Sequence, residues 1–375
     1  MGKKILFLLC LLFTVNCYGA EKTPEVNALS AVLIDADTGR VLWGKKENEP
    51  MAMASTTKIM TAIVTLENAD INEMVTVSKN AVLAPPVKMH LQVGEKLTLE
   101  QLLYALLMQS SNDAAVAIAE KVGGNVENFC SMMNKKAKEL GCLDTEFVTP
   151  NGLDKGNHHS TAYDMALIGA YAIKNEEFIR ISNTKNISFA SNKKSYSIVN
   201  KNQLLNSYEG AIGIKTGFTG KAGHCFVGAA KRNGITLISV VLASGWGSAG
   251  KARKWSDTRE ILNYGFDNYK KYSIIGDNVE VCVDKAKVNK TILEYDKCIE
   301  LIMKDSEAES IKFKNNVPEI IEAPIKAGQK IGSGEIYIGD KKISEVDIVA
   351  SEDIEKHSLG NSFNKIIKDW IELVC

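Results

Sequence analysis

Three short clusters in this chain pair a hydroxyl with an amine or an amide in a way that suits acyl transfer. The first is Ser55-Thr56-Thr57-Lys58. Residues three apart share a helix face, so the hydroxyl and the amine can meet. A serine on a first helical turn lies at the positive end of the helix dipole, which favours a developing alkoxide. It still needs a base, and a desolvated lysine that is neutral near pH 7 supplies one. The spacing alone is common, since Ser182/Lys185, Ser191/Lys194, Ser248/Lys251 and Ser362/Lys365 share it. The second cluster, Ser110-Ser111-Asn112, directly follows the apolar stretch Leu102–Met108. A break after a buried helix aims a hydroxyl and an amide into a cleft, although Ser and Asn there also read as a helix cap. Ser78-Lys79-Asn80 has the same pattern. The third cluster, Lys215-Thr216-Gly217, is the one Lys-Thr-Gly of the chain. It reads as a strand end where Lys215 and Thr216 offer a cation and a hydroxyl to a carboxylate, and where Gly217 lets a ligand or another backbone lie close. The plainer reading is a lysine that guards a sheet edge.

The elements that must position these clusters follow from periodicity. Ala31–Asp35 and Arg40–Gly44 are short apolar strands around the turn Asp37-Thr38-Gly39. From about Thr56 to Asn183 the period is helical, with Leu102, Leu103, Leu106 and Leu107 forming a buried face and Ala114–Val122 continuing beyond a break. Strands return at Ala211–Thr216, His224–Arg232 and Ile235–Ser244, the last two flanking the turn Arg232-Asn233-Gly234. Lys254–Tyr269 reads as a closing helix. The simplest assembly is α+β: one antiparallel sheet built from both ends of the domain, flanked by helices, with a helical insert beside it. Beyond about Tyr272, short β-branched segments between Gly, Pro and charged turns predict a small all-β domain. Phe363, Ile366, Ile367, Trp370, Ile371 and Val374 then fall on one face of a terminal amphipathic helix.

The chain has 375 residues, 45% of them apolar and 24% charged, which suits two soluble domains. Lys+Arg and Asp+Glu balance at 45 each, so bulk charge argues against nucleic-acid binding. Lys3 and Lys4, the apolar run Ile5–Val15, and then Gly19 and Ala20 have the form of a cleaved secretory signal. That run is too short to span a bilayer, which takes about 20 residues. The division expected is therefore a signal at 1–20, a first, α+β domain at 21–271, the β domain at 272–358 and the tail helix at 359–375. Export permits disulfides, but the six cysteines after the signal (Cys130, Cys142, Cys225, Cys282, Cys298 and Cys375) leave any pairing open, and free thiols are the plainer expectation. His158 and His159 lack a second ligand cluster, so no metal is expected. His159 and Asp164 are expected to order their loop and cap the helix after it.

Taken together, the three clusters in this order resemble the active-site set of penicillin-binding proteins and serine β-lactamases. Phe147-Val148-Thr149-Pro150-Asn151-Gly152-Leu153-Asp154, His159–Met165, the segment Gly213–Gly223 and Ala323–Gly328 are similar to the low-molecular-mass D-alanyl-D-alanine carboxypeptidases, over essentially residues 28–375. The resemblance implies a β-lactamase/transpeptidase-like fold, no cofactor, and peptidoglycan pentapeptide stems and β-lactams as partners. It implies Ser55 as nucleophile, Lys58 as base and Ser110 as proton relay held by Lys58 and Lys215. Asn112 would hold the substrate amide, Lys215, Thr216 and Gly217 its carboxylate end, and the backbone N–H groups of Ser55 and Phe218 the oxyanion. It further implies an extracytoplasmic enzyme with peripheral membrane contact through 359–375, with packing of that helix on the β domain as the alternative. D,D-endopeptidase action and a penicillin-binding wall scaffold are the alternatives. A β-lactamase fits less well, because no Glu-x-x-Leu-Asn segment lies between Asn112 and Lys215.

Overall fold

The computed structural model describes residues 22–357 and residue 371. The signal expected at 1–20 lies outside the described residues, and so does the tail helix expected at 359–375, apart from Ile371. The first domain runs β1 (Ser30–Asp35), β2 (Val41–Lys45), a 3₁₀ turn (Ala54–Thr57), α1 (Lys58–Asn68), β3 (Met74–Thr76), α2 (Lys79–Leu83), β4 (Lys96–Thr98) and α3 (Leu99–Tyr104). A π-helical turn (Ala105–Gln109) leads to α4 (Asn112–Gly123), α5 (Val126–Glu139), α6 (Ala162–Ala172), α7 (Glu176–Asn183), β5 (Asn186–Ala190), β6 (Ser195–Val199) and α8 (Leu204–Ser207). It closes with β7 (Ala211–Thr219), β8 (Gly223–Arg232), β9 (Ile235–Leu242) and α9 (Gly247–Asn268). The second domain comprises β10 (Lys270–Ile274), β11 (Val279–Asp284), β12 (Lys290–Tyr295), β13 (Ile299–Met303), α10 (Asp305–Ala308), β14 (Ile311–Asn316), β15 (Ile320–Glu322), β16 (Lys330–Ile338) and β17 (Lys341–Ala350).

The main sheet has the antiparallel order β2-β1-β9-β8-β7, with two strands from the start of the domain and three from its end, as the sequence pattern predicts. Its strands are apolar on both faces because both faces are covered. Val32, Ile34, Val227, Ala229, Ile238 and Val240 join the core under the helical layer. Ala31, Leu33, Phe226, Leu237 and Val241 meet Trp255, Ile261 and Leu262 of α9 on the other side. Helix α1 is buried from Lys58 through Thr65, which its largely apolar sequence allows. The turn that carries Ser55 is therefore set against a packed core.

Several expectations need correction. The block read as helical contains the pair β3–β4, joined at Val75↔Leu97, whose three-residue strands are too short to show a period. Lys215-Thr216-Gly217 does not end its strand, since β7 continues to Thr219. Helix α9 begins at Gly247, earlier than Lys254, a start that the sequence hides because Gly247-Ser248-Ala249-Gly250 carries no apolar stripe. Gly250 packs against Gly245 so closely that a Cβ there would lie 2.2 Å from the Gly245 carbonyl carbon. The hairpin β5–β6 was not anticipated at all.

In the second domain a six-stranded sheet, β14-β16-β17-β12-β11-β15, encloses its own core of Val281, Leu293, Tyr295, Ile336 and Ile348. The separate pair β10–β13 sits where the two domains meet. There Tyr269 donates to the Leu42 carbonyl at 2.7 Å, and Arg40 donates to the Ile302 carbonyl at 2.8 Å while pairing with Glu307.

Candidate active site

The three clusters converge. Ser55 lies in the 3₁₀ turn Ala54–Thr57, and the tight winding of such a turn aligns residues i and i+3. Lys58 Nζ lies 3.0 Å from Ser55 Oγ. The same amine donates to Asn112 Oδ1 at 2.8 Å and to the Asn151 carbonyl at 2.5 Å. Lys58 is fully buried, and its pKa falls to about 7, first through desolvation and then through the charge of Lys201, against an opposing pull from Asp113. A lysine in that state accepts a proton from a neighbouring hydroxyl at neutral pH.

The Asn151 carbonyl is a contact that motif reading missed, because a backbone oxygen carries no side-chain signal. It is aimed by the loop that follows α5. Thr61 Oγ1 donates to the Pro150 carbonyl at 2.6 Å, and Gly152 sits at φ +83° against the nucleophile turn. His158 fixes the other side of that turn. Its Nδ1 accepts from Val148 N–H at 3.0 Å, so its Nε2 carries the proton that reaches Thr57 Oγ1 at 2.9 Å. Burial holds its pKa down at about 4, so it stays neutral as this bonding requires. His159 also orders the loop, as expected, through its Nδ1 bond to the Asn157 carbonyl at 2.6 Å and its backbone bridge to Glu146. The cap of α6 is Thr161, which accepts from Asp164 N–H at 3.0 Å, while Asp164 itself accepts from Asp144 N–H and Thr145 Oγ1. Among the described residues no cluster of three or more His, Cys, Asp or Glu could hold a metal ion.

The second wall is the break between α3 and α4. The π-helical turn ends on Ser110 in the left-handed region, at φ +67°. Such a conformation is costly for a serine and is found where surrounding structure enforces it. Among the described residues no hydrogen bond joins Ser110 Oγ to Lys58 or Lys215. The cap expected here is absent too: Ser111 occupies the N-cap position of α4 without a capping bond, and its hydroxyl is buried without a partner. Asn112 Nδ2 donates to the Pro85 and Pro86 carbonyls, both at 3.0 Å. This leaves one lone pair of Oδ1 beyond its bond from Lys58.

The third wall is β7, which among the described residues is an edge strand paired with β8. Lys215 points inward and is buried, so it does not guard the edge, and its Nζ donates to the Thr216 carbonyl at 2.8 Å. A Cβ at Gly217 would lie 3.0 Å from Met53 O and 3.1 Å from Ser55 N, so the backbone this glycine admits is that of the nucleophile turn. Phe218, the next residue, is half-exposed and its ring stacks on His224 with centroids 4.4 Å apart. Lys254 of α9 was missed by sequence reasoning because it sits in a basic run that reads as a solvated face. It is buried over the Trp255 ring, and burial with the nearby charge of Lys251 lowers its pKa to about 8. Burial also holds Lys215 well below the ordinary lysine range, with further depression from the charges of Lys58, Lys201 and Lys254. Lys215 is crowded by the charges of three other lysines, and an incoming anion would relieve that crowding.

Comparison with known proteins gives the family. Residues 18–245, more than half of the chain, match the D-alanyl-D-alanine carboxypeptidase family, and residues 269–356 match the C-terminal domain of penicillin-binding protein 5. The chain belongs to the D-alanyl-D-alanine carboxypeptidase family. It is 33% identical over 366 residues to the D-alanyl-D-alanine carboxypeptidase DacF of Bacillus subtilis, covering 93% of this chain and 92% of that one. It is 38% identical over 265 residues to the D-alanyl-D-alanine carboxypeptidase of Streptomyces sp. strain K15, covering 66% of this chain and 90% of its relative. The crystal structure of penicillin binding protein 5 from Haemophilus influenzae superposes with a TM-score of 0.75 at 29% identity, over 89% of this chain and 99% of that one.

Proposed function

We propose that Ser55 and Lys58 carry the activity of this family in this chain. The protein is a serine-type D-Ala-D-Ala carboxypeptidase that removes the terminal D-alanine from peptidoglycan stems and is acylated by penicillins. The observation that carries the assignment of residues is the 3.0 Å contact between Ser55 Oγ and a fully buried Lys58 amine. Ser55 Oγ attacks the carbonyl carbon of the penultimate D-alanine as Lys58 Nζ takes its proton. The backbone N–H groups of Ser55 and Phe218 receive the oxyanion. The C–N bond then breaks, and the proton passes by way of Ser110 to the amine of the departing D-alanine. Water hydrolyses the acyl-enzyme and frees Ser55. A penicillin follows the same first step, but its leaving amine stays tethered to the acyl group.

Asn112 offers its remaining Oδ1 lone pair to the substrate amide N–H. Lys215 and Thr216 receive the terminal carboxylate, and Lys254 adds a second buried cation behind them. The test is D-alanine release from diacetyl-Lys-D-Ala-D-Ala, with covalent labelling by fluorescent penicillin run in parallel. Ser55→Ala should abolish both, and stoichiometric labelling of that variant would sink the assignment. In the same assay Lys254→Met should raise KM with a smaller change in kcat, and an unchanged KM would remove Lys254 from the carboxylate site.

The domain division at 21–271 and 272–358 gives the enzyme a catalytic unit and a β spacer, and the tie through Arg40 and Tyr269 supports a fixed relation between them. Peptidoglycan lies outside the cytoplasm, and the enzyme acts there. Among the described residues no helix is long and apolar enough to cross a membrane. The amphipathic pattern at 359–375 instead suits peripheral contact with a bilayer surface. Residues 21–375 should co-sediment with anionic vesicles and residues 21–358 should not; equal sedimentation would remove the tail from that role.

A further inference from the structure

One lysine of the site remains without an assignment. Lys201 follows β6 in the strap Val199-Asn200-Lys201-Asn202, which crosses the end of the π-helical turn. Its backbone N–H donates to the Met108 carbonyl at 3.2 Å, and its Nζ donates to the Gln109 carbonyl at 2.6 Å. Gln109 returns a bond from Nε2 to the Val199 carbonyl at 3.5 Å. The strap is itself anchored, because Asn200 Nδ2 donates to the Ser182 and Thr184 carbonyls at 2.9 Å and its Oδ1 accepts from Asn202 N–H. Residues 108 and 109 are thus held from outside at the point where the chain turns into the left-handed Ser110.

We propose that Lys201 is a positioning residue for acylation: it clamps the π-helical turn that presents Ser110, and it stands as a fixed cation beside Lys58 and Lys215. This rests on the reading of Ser55, Lys58 and Ser110 given above. The clamp supplies the constraint that a serine at φ +67° needs, since neither Lys58 nor Lys215 bonds its hydroxyl. The cation acts on the base. The charged and titratable groups facing Lys58 are Lys201, Lys215, Asp113 and His158. His158 is neutral, and Asp113 favours the protonated amine while Lys201 opposes it. Removing Lys201 leaves the pull of Asp113 less opposed, so Lys58 holds its proton to higher pH.

The experiment is the second-order rate of acylation by benzylpenicillin between pH 5 and 9 for the wild type, Lys201→Met and Lys201→Arg, with thermal unfolding as a control on folding. Lys201→Met should lower the plateau about tenfold, a usual loss for a misplaced proton-transfer group. It should also move the acid limb upward by about half to one pH unit, the effect of one partly screened charge. Lys201→Arg keeps the cation and a donor, and should recover most of both. A wild-type plateau and limb in Lys201→Met would overturn the proposal. So would a lower plateau with an unmoved limb, since structural support alone would account for it. Failure of the underlying site reading shows separately, as labelling that survives in Ser55→Ala.

Discussion

Replacing Lys58 by methionine should lower the rate of acylation by benzylpenicillin by about a thousandfold, within the range usual for loss of a general base. Among the described residues the Ser55 hydroxyl bonds the Asn151 carbonyl and the Lys58 amine, of which the amine is the base, and that amine also bridges to Asn112 and the Asn151 carbonyl. Methionine has a similar length and buries no charge, so the fold should survive, at a cost of about 1–3 kcal/mol for each of the two buried acceptors that lose their donor, Asn112 Oδ1 and the Asn151 carbonyl. Acylation rate and thermal unfolding together separate these effects. A variant that keeps more than a tenth of the wild-type rate would remove Lys58 from the role of base. The pH dependence has a definite sign. The working form of Lys58 is the neutral amine, and its pKa is about 7. The wild-type rate should therefore fall about tenfold per pH unit below pH 7 and decline again above pH 8, where Lys254 loses its charge.

Gly152→Ala should be nearly as damaging, although no proposed chemistry involves the side chain at this position. A Cβ at Gly152 would lie 2.0 Å from the Ala54 carbonyl oxygen and 2.5 Å from its carbon, and the residue sits at φ +83°. Backbone cannot yield there without moving the turn that carries Ser55 or the neighbouring Asn151 carbonyl that holds Lys58. A displacement of this size in a catalytic group costs about a hundredfold in rate, and the strain should lower stability by about 1–3 kcal/mol. Unfolding midpoint and acylation rate check both. Wild-type values would show that the loop and the nucleophile turn are less tightly coupled than their contact indicates.

The parts of the site that the sequence discloses are those where function needs a side chain at fixed local spacing. Ser55 and Lys58 are three apart, so a motif captures their contact. Ser110, Asn112 and Lys215 lie far along the chain, but each sits in a recognisable cluster, and the order of the clusters carried the resemblance. What stayed hidden depends on tertiary packing. Lys254 belongs to the basic run Lys251–Lys254 and is withdrawn from water only because α9 lies across the sheet. His158 and His159 are adjacent and alike on paper; burial and the Thr57 hydroxyl select the first. Lys201 offers no motif, because one of its clamp bonds comes from its own backbone. In the fold, β1, β2, β8 and β9 were legible from apolar runs and turns. The alternation of Ile187 and Phe189 with Tyr196 and Ile198 in β5–β6 was also present, but it lies among polar residues that read as loop.

The position of β1 has a consequence for how the molecule comes into being. Its partner β9 is some two hundred residues later in the chain, and Asp257 of α9 ties down Asn27 and Ala28, accepting from Ala28 N–H at 2.9 Å across 229 positions. A chain emerging from its N-terminus therefore cannot complete the sheet until α9 has followed. Non-local closure of this kind slows folding and makes it cooperative. The nucleophile, near the start, must wait for its carboxylate site, near the end. A chain that lacks α9 then has no working site, and capture of penicillin becomes a certificate that the whole first domain has folded.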